Sequence, residues 1–340
     1  MVRLADKMRI GVTYDLRADY LAKGMSEEDT AEFDSEITIA AICQALAGLG
    51  HEPVRVGQVR ALTQKLAAGE RWDAVFNICE GVAGYAREAQ APALLEAYGL
   101  PFVFSDALTL AISLDKAWTK HIVSAAGVPT APFAVIERPS DIAGLKLAYP
   151  LFLKPVAEGS GKGVNARSRV NDAAALREVA SELLARFRQP VLAETYLPGR
   201  EFTVGITGTG EDSRVLGVLD IAATGKAAGT DYGYENKERC DQNIVYRLVE
   251  DAQGEAAAAV ALKAWRALRC RDGGRIDVRN DSAGRPQFVE VNPLAGLNPE
   301  HSDLCFLAGF KGLTYQDLIG LILESFLKRH PELAARKAAA

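Results

Sequence analysis

The sequence predicts an α/β protein in two parts: a Rossmann-like N-terminal unit built on a parallel sheet, then an α+β half in which strands are neighbours in the chain. Three observations carry this. Strand and helix signals alternate over the first third. Beyond Leu197 the strand signals follow one another directly. Near the C-terminus, Gly274-Arg275-Ile276-Asp277-Val278 and Phe288-Val289-Glu290-Val291-Asn292 flank the turn-rich stretch Asn280 to Pro286, as a hairpin would.

The elements follow in order. Met8 to Tyr14 reads as a strand, Glu36 to Leu49 as an amphipathic helix stopped by Gly50, and Pro53 to Val56 as the second strand. Ala74 to Ile78 is a third strand, followed by a loop over Cys79 to Glu88. A helix over Pro92 to Tyr98 ends at Gly99, and Pro101 to Phe104 is the fourth strand. A helix from Asp115 to about Val128 leads to the strand Phe133 to Ile136. Leu151 to Pro155 is a strand, Asp172 to Phe187 a helix, and Pro190 to Glu194 a strand. Strands over Glu201 to Thr207 and Ser213 to Ile221 come next, then a polar stretch, Thr224 to Asn243, expected as a long functional loop. The helix Gln253 to Leu268 precedes the hairpin, and Tyr315 to Lys328 is the closing helix. At about 150 residues per domain the chain has room for two or three; the expected divisions are 1–115, 116–198 and 199–340.

Bulk composition narrows the function classes. A net charge of −5 offers no broad attraction for nucleic acid or anionic lipid, so an anionic ligand must be met by individually placed Lys and Arg. The five cysteines are scattered without a C-x-x-C spacing, which argues against a disulfide framework or zinc site. The four histidines form no ligand-spaced pair. The N-terminus has no apolar signal-peptide core and no run reaches membrane-span length, so a cytoplasmic location is expected.

Chemistry-bearing residues concentrate in a few places. Alternation puts Arg275 with Asp277, and Glu290 with Asn292, on single faces of the hairpin strands. If the faces coincide, two carboxylates and an amide oxygen suit Mg²⁺ with phosphate oxygens and water; otherwise they are an ordinary solvated face. Lys154-Pro155-Val156-Ala157-Glu158-Gly159-Ser160-Gly161-Lys162-Gly163 sets a strand-end lysine before a glycine-rich loop whose N–H groups can approach phosphate, or which is a plain turn. It is not a Walker A loop, and no G-x-G-x-x-G follows the first strand. Glu194 to Thr203 joins two strands through a connector with acids at both ends. Lys116 lies near a helix start and Lys237 in the polar loop.

In this order the pieces resemble the ATP-grasp superfamily, and most closely the D-alanine–D-alanine ligase family. The resemblance runs from Phe76-Asn77 to Asn298. It rests on Leu114-Asp115-Lys116, Lys154-Pro155 with Glu158-Gly159-Ser160, Glu194 with Gly199 and Glu201-Phe202-Thr203, Gly274-Arg275-Ile276-Asp277, and Glu290-Val291-Asn292. It implies a Rossmann-like domain followed by a two-part α+β ATP-grasp, with ATP and Mg²⁺, two ions that Mn²⁺ could replace, as cofactors. By position Lys116, Lys154 and the loop bearing Glu158 match the phosphate contacts, Glu194 and Leu197 the adenine contacts, Glu201 the ribose acid and Lys237 a loop lysine. Asp277, Glu290 and Asn292 match the metal ligands, and Arg275 the oxyanion-stabilising arginine. Ser160 and an N-terminal acid, for which Glu36 is the candidate, match groups that position the first amino acid. Gly296 matches a backbone donor at the second substrate and Ser302 a carboxylate-binding serine.

The implied activity is ATP-dependent joining of a carboxylate and an amine through an acyl phosphate. Substrates are small molecules, without nucleic acid or membrane, in an enzyme that the family leads one to expect as a homodimer. A different amino-acid or amine pair, or a non-catalytic ATP-binding regulator, are the alternatives. The substrate end departs from the family pattern: Glu80 stands where a histidine is usual, Tyr85 and Arg87 enter the following loop, Glu238 replaces a tyrosine, and Glu300, His301 and Asp303 add charge.

Overall fold

The computed structural model describes residues 7–223 and 244–334. Its first sheet is parallel, in the order β2-β1-β3-β4, with β1 Arg9–Tyr14, β2 Glu52–Gly57, β3 Ala74–Ile78 and β4 Phe102–Val103. Helix α2, Glu36–Gly48, is capped by Ser35, whose side chain accepts from the Thr38 N–H. Ile39, Ile42 and Leu46, one helical face, are fully buried. Shorter helices α1 (Arg17–Leu21), α3 (Val59–Ala67), α4 (Gln90–Ala97) and α5 (Ala107–Leu114) complete this part.

The same core is closed from the far end of the chain. In the helix Tyr315–Arg329, Leu318, Ile319, Ile322, Leu323 and Phe326 pack with Ile10, Val12, Phe76 and Phe104. Arg329 and Ser325 meet the buried Asp272, which also accepts from the Phe104 N–H. The closing helix thus completes the apolar surface of the first sheet.

The second sheet, β5-β8-β6-β7, is antiparallel: β5 Phe133–Ile136, β6 Leu151–Pro155, β7 Arg169–Val170 and β8 Val191–Thr195, covered by α7, Ala173–Phe187. The third, β11-β10-β9-β12-β13, is also antiparallel: β9 Glu201–Thr207, β10 Arg214–Ala223, β11 Ile244–Leu248, β12 Gly273–Asn280 and β13 Pro286–Asn292. Its apolar face, with Phe202, Val204, Ile276, Val278 and Phe288, packs on Trp265 of the helix Ala252–Ala267. Alternation then turns Thr203, Arg275, Asp277, Glu290 and Asn292 to the opposite face, towards the second sheet.

Helix α6, Lys116–Ala125, links the parts. Asp115 caps it by accepting from the Ala117 and Trp118 N–H groups, which fixes Lys116 in its first turn. The polar stretch expected as a long loop, 224–243, lies outside the described residues.

Candidate active site

The hairpin register brings its polar residues together. Arg275 stands opposite Asn292 and Asp277 opposite Glu290, with a bulge after Asp277. Thr203 Oγ1 donates to Asp277 Oδ1 at 2.8 Å, Asn292 Nδ2 approaches Oδ2 at 3.5 Å, and Arg275 Nη2 lies 3.8 Å from Oδ2. Among the described residues no three His, Cys, Asp or Glu side chains gather as a metal cage. The available set is two carboxylates and an amide, a donor chemistry that fits Mg²⁺ completed by phosphate and water oxygens.

A narrow cleft of about 100 Å³ runs from this hairpin between the two antiparallel sheets, lined by Lys116, Lys154, Glu158, Lys162, Glu194, Leu197, Glu201, Asp277, Arg279 and Glu290 among others. Glu194 is buried in its wall between two lysines: Lys120 Nζ is 2.8 Å from Oε2 and Lys154 Nζ 3.1 Å from Oε1. Burial favours the neutral acid, but the two ammonium groups outweigh it and hold the carboxyl down at about 2. Burial lowers Lys120, whereas at Lys154 it is outweighed by Glu194 and Glu290, which raise that ammonium. At the outer end Arg279 pairs with Glu201 at 3.4 Å and reaches Tyr196 Oη at 3.2 Å.

The glycine-rich loop is fastened across the cleft to the N-terminal part. Lys162 Nζ lies 3.3 Å from Glu32 and 3.5 Å from Glu158, and Arg87 spans Glu32 at 2.9 Å and the Ala157 carbonyl at 3.0 Å. Burial works against ionisation of Glu32, and Arg87 and Lys162 together still keep it lowered. Gly159 permits this approach, since a Cβ there would sit 2.1 Å from Glu32 Oε1. Ser160 follows with φ of 50°, in the left-handed region.

Beyond Lys116, Glu158 and Glu290, which line both spaces, the cleft opens into a cavity of about 500 Å³. Ser160, Arg275, Asn292, Gly296 and Ser302 line it, as do Glu80, Asp34, Glu88 and Asp303. Arg275 is ion-paired with Asp303, and Lys116 lies 3.7 Å from Glu290 and donates to the Glu158 carbonyl. Burial lowers the Lys116 ammonium. Burial, with Asp15 adding to it, raises Asp34 to about 8; burial also raises Glu88 to about 7 despite Arg87, and pushes Glu80 well up with Glu88 and Glu32 adding to the effect. Ser302 Oγ accepts from the Asn298 N–H at 2.9 Å, shaping the turn beside Gly296.

Three sequence expectations fall outside these spaces. Glu36 is exposed on the first turn of α2 and pairs with Arg55 at 2.6 Å, because a helix-start side chain turns to solvent while the preceding segment faces the cavity; Glu32 and Asp34 are the N-terminal acids there. Tyr85 is half exposed and lines neither space. Arg87 is buried against Glu32 and Ala157, where it braces the loop and does not line the wide cavity. Lys237 and Glu238 lie outside the described residues.

With this geometry, comparison with known proteins is specific. The family model for the D-ala D-ala ligase C-terminus matches residues 122–324. The chain is 32% identical over 276 residues to the D-alanine–D-alanine ligase of Bordetella petrii, covering 80% of this chain and 81% of that protein. The chain belongs to the D-alanine–D-alanine ligase family. Crystal structures of the Bacillus anthracis D-alanine–D-alanine ligase, alone and complexed with ATP, share the ATP-grasp fold, with TM-scores of 0.74 and 0.70 at 22% and 21% identity; each match covers 96% of this chain and 99% of that one.

As a member of the D-alanine–D-alanine ligase family the chain is an ATP-dependent ligase forming C–N bonds, acting on small molecules. No helix among the described residues is long and apolar enough to cross a membrane. Sequence reasoning missed Lys120, Glu32, Asp34 and Glu88. Lys120 had a usable signal, since it follows Lys116 by four residues and therefore shares its helix face. Glu32 and Asp34 had none, because they lie between the first strand and the next helix in a stretch without a motif, and Glu88 ends the loop that follows the third strand.

Proposed function

We propose that the chain phosphorylates a small carboxylate with ATP and couples the resulting acyl phosphate to an amine, with D-alanine as the first substrate to test in both roles. The carrying observation is that Lys116, Glu158 and Glu290 line both the narrow cleft and the wide cavity, so a terminal phosphoryl group at the cleft's end faces a carboxylate in the cavity. In this reading Lys116, Lys154 and Lys162 hold phosphate oxygens, while Leu197 and the adjoining connector face the base and Glu201 the ribose. Asp277, Glu290 and Asn292 would hold Mg²⁺, which when bound offsets charge on the transferring phosphoryl group. Arg275, oriented by Asp303, meets the oxyanion formed when the amine attacks. Gly296 and Ser302 border the acceptor, and Ser160 the donor. The Glu32 clamp on the loop helps to exclude water from a hydrolysable acyl phosphate. Among the described residues Cys43, Cys79, Cys270 and Cys305 are free thiols, which supports a reducing, cytoplasmic setting.

The experiment is ADP and phosphate release with D-alanine, with L-alanine as control. Release that requires D-alanine and yields a dipeptide supports the reading. Nucleotide binding without turnover across amino acids and amines would overturn it in favour of a non-catalytic ATP-binding protein.

A further inference from the structure

Two features at one end of the wide cavity attract an anion, and the chain supplies that anion itself. The helix Asp303–Phe310 begins there, with Ser302 and Asp303 on the cavity wall together with Gly296. The start of a helix carries partial positive charge. Ser302 does not cap it with its side chain, and its hydroxyl accepts from the Asn298 N–H instead. Arg275, on the same wall, is the second feature. Asp303 answers both, because its carboxylate lies in the first turn of the helix and is ion-paired with Arg275. Side-chain exposures of 15% for Arg275 and 11% for Asp303 leave little solvent to screen these charges.

We propose that Asp303 sets the acceptor specificity of this ligase, and that the amine it joins bears no free carboxylate on the carbon next to its nitrogen, as in an amino-acid amide or a simple amine. This rests on the reading of the wide cavity as the substrate space with Arg275 at the oxyanion. In that reaction the nitrogen forms its bond to the acyl carbon, phosphate departs with the broken C–O bond, and the nitrogen sheds a proton. The nitrogen, and whatever its carbon carries, therefore comes beside the oxyanion and Arg275. A carboxylate on that carbon meets the Asp303 carboxylate, and like charges brought together in an enclosed interface are strongly disfavoured. Rejecting a competitor by a placed like charge is a general route to specificity. Arg17, Lys116 and His301 also line the cavity. A carboxylate farther along the acceptor can meet those groups, whereas one next to the nitrogen cannot avoid Asp303.

Mass spectrometry of the products tests this with the full-length protein, Mg²⁺-ATP and alanine of either hand as the carboxylate, with alanine and alaninamide offered together as amines. The amide-capped product should exceed the free dipeptide, and Asp303→Asn should lower that ratio about 10-fold or more. The change in ratio decides, because the intrinsic reactivity of the two amines is the same in both proteins. A looser Arg275 slows both products and leaves the ratio where it was. Asp303→Ser is measured in the same way should the asparagine variant not fold. Free dipeptide in excess in the unaltered protein, or a ratio that the substitution does not move, would overturn the proposal. If neither product forms, calorimetry with Mg²⁺ and a non-hydrolysable ATP analogue reads the same ratio as affinities. A preference for alaninamide that Asp303→Asn removes then leaves Asp303 as the selecting residue while the ligase reading for alanine falls; equal affinities, or no binding of either, overturn both.

Discussion

Replacing Glu194 by Gln tests the buried charge cluster of the narrow cleft. The substitution keeps the side chain's size and one acceptor oxygen but removes the only carboxylate ion-paired with Lys120 and Lys154 among the described residues. Side-chain exposures of 0% for Lys120, 8% for Lys154 and 7% for Glu194 leave little solvent to screen the loss. Breaking a buried pair by removing one partner costs about 3–5 kcal/mol. Burial pulls the Lys120 ammonium down, Thr130 still accepts from it at 2.6 Å, and glutamine keeps an acceptor, so the lower end, about 3 kcal/mol, is expected. With an unfolding entropy of about 2.1 cal/mol/K per residue over the 340 residues of the chain, that lowers Tm by about 4 °C.

Urea unfolding followed by circular dichroism at neutral pH reads the difference directly. The pH dependence has a definite sign. The folded-state carboxyl lies at about 2 against an ordinary 4.5, so its stabilisation is fully present above pH 4.5 and fades as pH falls towards 2. The gap between variant and unaltered protein should close over that window. Mg²⁺-ATP should narrow it too, because phosphate replaces the missing counter-charge. A loss below about 1 kcal/mol, the size of an exposed pair, would refute the view that these lysines depend on Glu194.

Other substitutions probe the remaining parts. Asp277→Ala or Glu290→Ala should lower kcat at least about 100-fold with the fold intact; normal turnover in either would end the metal assignment. Glu32→Gln leaves Arg87 and Lys162 without their shared anion, so limited proteolysis within 158–163 should quicken and the KM for ATP should rise; unchanged cleavage would show that the clamp does not hold the loop. Trp265→Ala, at a fully buried side chain whose Nε1 donates to the Gly208 carbonyl, should cost about 3–5 kcal/mol in denaturant titration.

The sequence by itself determined which side chains share a face. Alternation in Gly273–Asn280 and Pro286–Asn292 sends Ile276, Val278 and Val291 to the core and Arg275, Asp277, Glu290 and Asn292 to the cleft, and capping by Asp115 sets Lys116 at a helix start. These are local consequences of backbone geometry and need only neighbouring residues. Partners distant in the chain were decided by packing. Only the folded chain shows that Arg87 braces Glu32, that Lys120 and Lys154 share Glu194, that Asp303 holds Arg275, and that the closing helix completes the first sheet's core. The choice between Glu36 and the Glu32–Asp34 segment belongs to the same class. Both are acids beside one helix start, and which one faces a cavity depends on what the rest of the molecule places against them.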